Sequence, residues 1–467
     1  MRFSSQPQLT RRGLLSVFVA KACFSILFLS AVSLLGCSSI EENSHSKNVS
    51  QGLAIVQGLT NDTATQIAIL APKSMKLSIK VTDVTKSTEP ILIPHEILFH
   101  EIAESPQALR HVRLSGLSVE KKYQIEVKDQ YGRIVDTRQF RSLDTRPRKV
   151  KIATASCMSD LYLSDNSTMW KSVKDANPDL LILLGDNVYA AIVGGVYKGP
   201  LDQVTLWNRY AESFLKLDFY RFEFLIPTVA VWDDYDFGMK DGGTNNPHRF
   251  TAKTVFDAFY PQGAGSEFPN YEKGPGIAAR YSAFGFEFIL FDNRTFRTSE
   301  THFGNEQEEW FFNGLSKEKK PIWLISGDQW FGGYHKFESY EGNHPQSFVK
   351  FLNRVRKTNR LAMFFSGDRH LSEVIKVEKD FLGYETYEFT SSPLHAKTYP
   401  SSWDTVPNRR HVKGIAEKVN FNLFSVEAPE SSGKLQLTVE AIGAKSQKFY
   451  SFSVTLQPRD ASLRSKN

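Results

Sequence analysis

Cysteine is scarce: the 467 residues contain three, Cys23, Cys37 and Cys157. That excludes a disulfide framework, and a chain of this length can bury a core large enough for two domains without one. Internal repeats and low-complexity tracts are also missing. So is any real excess of charge. The formal value of +6 falls to +2 once Arg2, Arg11, Arg12 and Lys21 of the N-terminal segment are set aside. The remaining Lys and Arg are mixed with acids along the sequence, which excludes the clustered basic face that nucleic-acid binding needs.

What the N-terminus does hold is an address. TRRGLLS precedes the apolar run ACFSILFLSAVSLLG, and the paired Arg11 and Arg12 resemble a twin-arginine export signal; an ordinary secretory n-region is the alternative. The run ends in LLGC, which looks like a lipobox, with cleavage after Gly36 and Cys37 acylated as the new N-terminus. An uncleaved anchor helix is the competing reading. Either way the expected body is membrane-tethered and faces the periplasm or the extracellular side. Residues 1–36 are thus expected to be signal, and 37–51 a polar tether.

Two textures follow. From residue 52 to 145, short alternating segments such as KLSIKVTD and KYQIEVKDQYGRIVDTRQFRSL predict an all-β sandwich. Its ending, GLSVEKKYQIEV, resembles a fibronectin III-like module. Asp144 to Lys149 reads as a linker. From 149 to 458 the texture is α/β: VKIATAS, PDLLILLGD, PTVAVWDD, FEFILFDNR, PIWLISGD and LAMFFSGD read as strands buried on both faces. Between them SDNSTMWKSVKDANP, LDQVTLWNRYAESFLKL, EQEEWFFNGLSKEKK and HPQSFVKFLNRVRKTN read as helices. Residues 459–467 form a polar tail.

Strand after strand ends in a group that can bind a ligand: Cys157, Asp186 with Tyr189, Asp233 to Asp236, Asp328, and Asp368 with His370. Such ends converge on one crevice in open α/β folds. Several acids meeting there repel one another unless cations are shared among them. Taken singly, Cys157 reads as a small buried hydrophobe, Asp186 as a cap, and Asp368 with His370 as a solvated turn. Their joint occurrence favours a metal site.

In order, TASC, PDLLILLGDNVYA, PTVAVWDDYDFGMKDGG, FDNRTFR, FSGDRHLSE and EFTSSPL resemble the PhoD-like alkaline phosphatase family of the calcineurin-like metallophosphoesterases. The resemblance implies a four-layer α+β sandwich of mixed sheets flanked by helices, and a binuclear or multinuclear centre that hydrolyses phosphomonoesters or phosphodiesters with metal-activated water. It implies Cys157 and Tyr189 as iron ligands, Asp186 as a bridging carboxylate, and Asp233, Asp234, Asp368 and His370 as further metal ligands. The implied ions are Fe3+ and Ca2+, with other divalent metals open. Arg294 and Arg297 are expected either to contact phosphate or to form structural ion pairs. The expected partners are a phosphate-ester substrate and, through the lipid, a membrane; a monomer is expected.

Two positions depart from that pattern. Tyr235 stands where relatives carry the histidine that serves the leaving group, and Lys240 where they carry asparagine. With an ordinary pKa of about 10, tyrosine is a poor acid near neutrality. A surface lipoprotein that keeps the metals but is weakly active or inactive is therefore the rival reading. The loops 190–200 and 238–246 are expected to select substrate. His335 and His344 are expected at surface or helix-start positions.

Overall fold

The alternating segments of the N-terminal half form two antiparallel four-stranded sheets. The computed structural model describes residues 52–458 apart from 86–90, 264, 401–405 and 432. The expected signal, the lipid-bearing Cys37, the tether and the polar tail lie outside the described residues. One sheet runs in the order Ala54–Thr60, Ala64–Pro72, Gln107–Ser115, His95–His100; the other runs Ile91–Leu92, Ser78–Asp83, Lys122–Lys128, Ile134–Arg141. Lys122–Lys128 buries every second residue, as a strand covered on one face should. Ala54–Thr60 is buried along its whole length instead.

The cause of that full burial is a second partner. Leu59 N–H donates to Pro261 O at 2.9 Å, Tyr281 Oη to Thr60 O at 2.7 Å, and Gln66 Nε2 to Gly263 O at 2.8 Å. The outer face of this sheet therefore rests on the larger body, and from Gln51 onward the chain is one compact unit. Asp144 to Lys149 is a pinned joint: Asp144 accepts from Arg146, and Arg148 Nη2 donates to Asp179 at 3.0 Å.

The larger body is mixed α/β with two principal sheets. A six-stranded sheet is ordered Thr228–Val231, Leu180–Leu184, Val150–Ala155, Phe421–Val426, Leu435–Ile442, Lys448–Leu456, its first three strands parallel. An eight-stranded sheet has Phe286–Leu290, Ile322–Ile325, Ala362–Ser366 and Thr386–Thr390 as its parallel centre. LLILL, TVAV, FEFIL, IWLI and AMFFS are all fully buried. Aromatics join the two sheets. Trp323 stacks on Phe365 with centroids 4.1 Å apart, and Phe424 of the other sheet meets both edge-on at 5.5 and 5.3 Å.

Helices flank the sheets. Asn166–Ala176, Gln203–Lys216, Asn305–Asn313 and Pro345–Thr358 fall within the four segments read as helical, and Arg249–Phe259 adds one that was not. Their ends follow local chemistry. Asp202 caps Gln203–Lys216 by accepting from Thr205 N–H at 2.8 Å. Pro345–Thr358 has Pro at its start, Arg356 and Lys357 in its last turn, and a left-handed Asn359 as its stop.

Candidate metal centre

Three parallel strands of one sheet and one of the other deliver their carboxyl ends to a common floor. Val150–Ala155 leads into Cys157, Leu180–Leu184 into Asp186, Thr228–Val231 into Asp233 and Asp234, and Ala362–Ser366 into Asp368 and His370. Glycine lets those ends approach. A Cβ on Gly367 would lie 2.4 Å from Leu184 O, and one on Gly185, whose φ is +86°, would lie 2.7 Å from Asp233 Cβ. Cys157, Asp186, Asp368 and His370 all take left-handed backbones, with φ of 55°, 51°, 60° and 51°. Non-glycine residues avoid that region, and its concentration at one place is the signature of a backbone held for its side chains.

Two groups of potential ligands result. Cys157, Asp186 and His370 each offer an atom within 4.8 Å of the others, and so do Asp186, Asp233 and Asp234, so that Asp186 is common to both. Cys157 Sγ lies 3.7 Å from Asp186 Oδ2 and accepts from Ser392 Oγ at 3.1 Å and Ser156 Oγ at 3.4 Å. Hydroxyls aimed at the sulfur suit a thiolate. His370 Nδ1 donates to the carbonyl of Lys397, which leaves the Nε2 lone pair facing Tyr189 Oη at 3.0 Å.

Electrostatics makes the case for a cation. Burial, then the neighbouring Asp234 and Asp233, raise Asp186 well above the carboxylate range. Burial pushes Asp233 up to about 7, Asp234 to about 6 and Asp368 to about 7. It also raises the Cys157 thiol and the Tyr189 phenol, and lowers His370 to about 4. The donor set is one that repels itself when ionised and, without a cation, holds its protons more tightly than ordinary carboxylates do. Asp233 Oδ2 is buried with no hydrogen-bond partner, an atom that a cation would satisfy. A thiol, a phenol, an imidazole and several carboxylates together form a donor set able to hold metal ions.

The WDDYD stretch divides its acids by task. Asp236 faces away from the ligand groups: it accepts from Val188 N–H at 2.8 Å, Asn187 N–H at 3.2 Å and Asp233 N–H at 3.0 Å, tying one strand-end turn to the next. Asp233 Oδ1 is taken by Asn293 and Arg294. Asp234 Oδ2 accepts from Asp241 N–H at 3.0 Å. Tyr235 stacks on Tyr189 with centroids 4.7 Å apart and planes at 14°.

Arg294 and Arg297 form ion pairs with carboxylates, the second of the two roles expected of them. Arg294 is 1% exposed and binds Asp233 and Glu338; Arg297 binds Asp328 at 2.5 Å and Glu338 at 2.6 Å. Neither lines the cavity; the buried Asp233 and Asp328, with the partly buried Glu338 of the cavity wall, occupy both guanidiniums. Asp328 belongs to this layer as well, bound by Ser326, Asn293 and His302. His344 does start a helix but is buried there against His302, with the two Nδ1 atoms 3.2 Å apart. His335 lies in a loop, bonded to Gln329 Oε1 at 2.8 Å.

Above the floor opens a cavity of about 450 Å3, lined by Asp186, Tyr189, Asp234, Tyr235, Asp368 and His370 together with residues that sequence reasoning passed over. Glu338, Phe337, Arg369 and Tyr399 are the chief of these. Glu338 and Asp241 also make a third acidic group with Asp234. Arg369 had a visible signal, its place inside GDRH. Glu338 had none, since KFESY carries no strand-end pattern.

No family model and no curated protein matches the sequence. Among solved structures, "Structure of PhoD" superposes with a TM-score of 0.65 at 15% identity, covering 88% of this chain and 90% of that one. An amylomaltase from Corynebacterium glutamicum (TM-score 0.14, 9% identity, 45% of this chain and 33% of that) and a cyclomaltodextrinase (0.18, 9%, 68% and 60%) are too distant to inform the fold. The chain has a PhoD-like fold.

Proposed function

We propose that this protein is an exported, metal-dependent phosphoesterase of the PhoD-like family, hydrolysing phosphomonoesters or phosphodiesters. The observation that carries the reading is the convergence of Cys157, Asp186 and His370 with Asp233 and Asp234, four of the five on left-handed or fully buried strand-end turns, in a fold shared with PhoD. In this reading Cys157, Tyr189 and His370 hold iron, while Asp233, Asp234 and Asp368 serve a second ion such as calcium, with Asp186 between. Bound cations supply the positive charge and the acidified water that ester hydrolysis at phosphorus requires. The sheets and helices from 149 to 458 are read as a four-layer metallophosphoesterase sandwich, and 52–145 as a fibronectin III-like domain. The protein is read as a monomer anchored through Cys37 at the periplasmic or extracellular face.

The residues of this chain have definable tasks. Asp236 and the Arg294 pair with Asp233 hold the ligand-bearing turns in place. Lys397 O orients the imidazole of His370. Tyr235, its phenol raised by burial and by Asp234, stays protonated and offers a neutral O–H to the departing oxygen. That weak acid is what favours the rival reading, a surface lipoprotein with low activity. Purified protein is expected to contain iron and calcium and to hydrolyse an aryl phosphate or an aryl phosphodiester. Metal without hydrolysis would establish the rival, and protein that takes up neither metal would sink both.

A further inference from the structure

We propose that Arg369 is the phosphate-recognising residue of this site and that it favours dianionic phosphomonoesters over diesters; the proposal rests on the phosphoesterase reading above. The cavity wall contains two cationic side chains, Lys240 and Arg369. Lys240 Nζ is already paired with Asp241 Oδ2 at 2.9 Å. Arg369 differs. Among the described residues no carboxylate forms an ion pair with its guanidinium, and its Nε is buried without a hydrogen-bond partner.

The charge of Arg369 acts on the neighbouring Asp368, but no hydrogen-bonded carboxylate among the described residues holds the guanidinium, which is kept there by other means. Its guanidinium carbon packs 4.4 Å from the centroid of the partly exposed Phe337, a cation–π contact that leaves its N–H groups available to a ligand. Its backbone N–H donates to Gly367 O at 2.7 Å, between the left-handed Asp368 and His370. The backbone is therefore placed before any ligand arrives and the side chain has a packing partner at the cavity wall, which reduces what is lost on binding.

The charge that such a fork suits is phosphate, whose oxygens match paired N–H donors. A monoester carries nearly two negative charges near neutrality, its second pKa being about 6, spread over three terminal oxygens. A diester carries one charge on two oxygens. With two oxygens engaged at the floor, a monoester still presents a charged third to the wall, where a diester presents an esterified, uncharged one. Arg369 thus gains more from the monoester.

The test uses the full protein, purified with its metals, on an aryl phosphate and on the methyl diester of the same phenol. Arg369→Gln is expected to lower kcat/KM for the monoester by about tenfold or more, the usual weight of a charge-assisted contact. The diester should change by less than about threefold, and inhibition by inorganic phosphate should weaken alongside the monoester loss. Equal losses on both esters, or unchanged phosphate inhibition with normal metal content, would overturn the assignment. If Arg369→Gln does not fold, Arg369→Lys, which keeps the charge but loses the fork, should show a smaller loss with the same bias; an unbiased loss overturns the idea. Failure of the wild type on both esters refutes the phosphoesterase reading instead. Calorimetry with inorganic phosphate then still decides Arg369, since binding lost in Arg369→Gln supports it and binding unchanged refutes it.

Discussion

Tyr235 is where the chemistry of this site is most exposed to question. Its ring lies flat on Tyr189 and its phenol is raised by burial and by the carboxylates of Asp234 and Asp186. A donor that never ionises in the working range can polarise a leaving oxygen but transfers a proton to it reluctantly. Alkyl leaving groups need that proton more than aryl ones. Tyr235→His is therefore expected to raise kcat on an alkyl phosphate by about tenfold, a part of the usual contribution of general acid catalysis since the phenol already donates a hydrogen bond, and on an aryl phosphate by much less. Equal gains would remove the leaving-group role from position 235. The same tyrosine was legible in the sequence as a departure, but its stacking partner was not, because Tyr189 lies 46 positions away on another strand-end loop.

At the scale of the element, the strand ends are tied to one another by Asp236. Burial raises this acid to about 8, although three backbone N–H groups oppose the shift. Both of its oxygens accept backbone N–H groups, so Asp236→Asn keeps one acceptor oxygen but turns an NH2 toward at least one N–H. Asp236→Asn should thus cost less than Asp236→Ala, which leaves buried N–H groups of Asn187, Val188 and Asp233 without acceptors, at roughly 1–3 kcal/mol each. Urea unfolding should show Asp236→Ala destabilised by about 3 kcal/mol or more and Asp236→Asn by clearly less. Similar losses in both would mean that negative charge, not hydrogen bonding, is what the turn requires. The strands themselves were plain in the sequence: an apolar run of four or five residues closed by Gly-Asp has few other readings. The layer beneath them was hidden. Arg294 and Arg297 look the same on paper whether they meet a substrate or the buried Asp233 and Asp328 and the cavity-lining Glu338, because ion pairs between residues 31 to 61 positions apart leave no local pattern.

For the whole molecule, the floor makes stability depend on pH and on metal together. Asp233, Asp234, Asp236 and Asp368 have folded values of about 7, 6, 8 and 7 against an ordinary 3.8. Without metal the folded state holds protons that the unfolded chain has released, so stability falls as pH rises from about 4 to about 8. Asp328 and Glu338 act in the opposite sense. Burial raises them, but His302 with Arg297, and Arg294 with Arg297, win and hold them ionised, and that contribution disappears as pH falls below the ordinary carboxylate range. A cation held by Asp233, Asp234 and Asp368 would replace their protons, while Asp236, engaged by backbone N–H groups, would keep its own. Chelation should accordingly lower Tm more at pH 8 than at pH 5, as thermal unfolding with and without chelator would show; an increment independent of pH would mean that the floor is not where the metal sits.

The sequence by itself determined the kinds of element and the supply of donors, because buried strands, capped helices and glycine-aspartate ends are written in neighbouring residues. It left open which donors share a floor and which arginines are already engaged. Those were decided by tertiary structure, since a thiol, carboxylates and an imidazole from four separate strands meet only once two sheets have packed, and the same packing buries Arg294 and leaves Arg369 at the cavity wall.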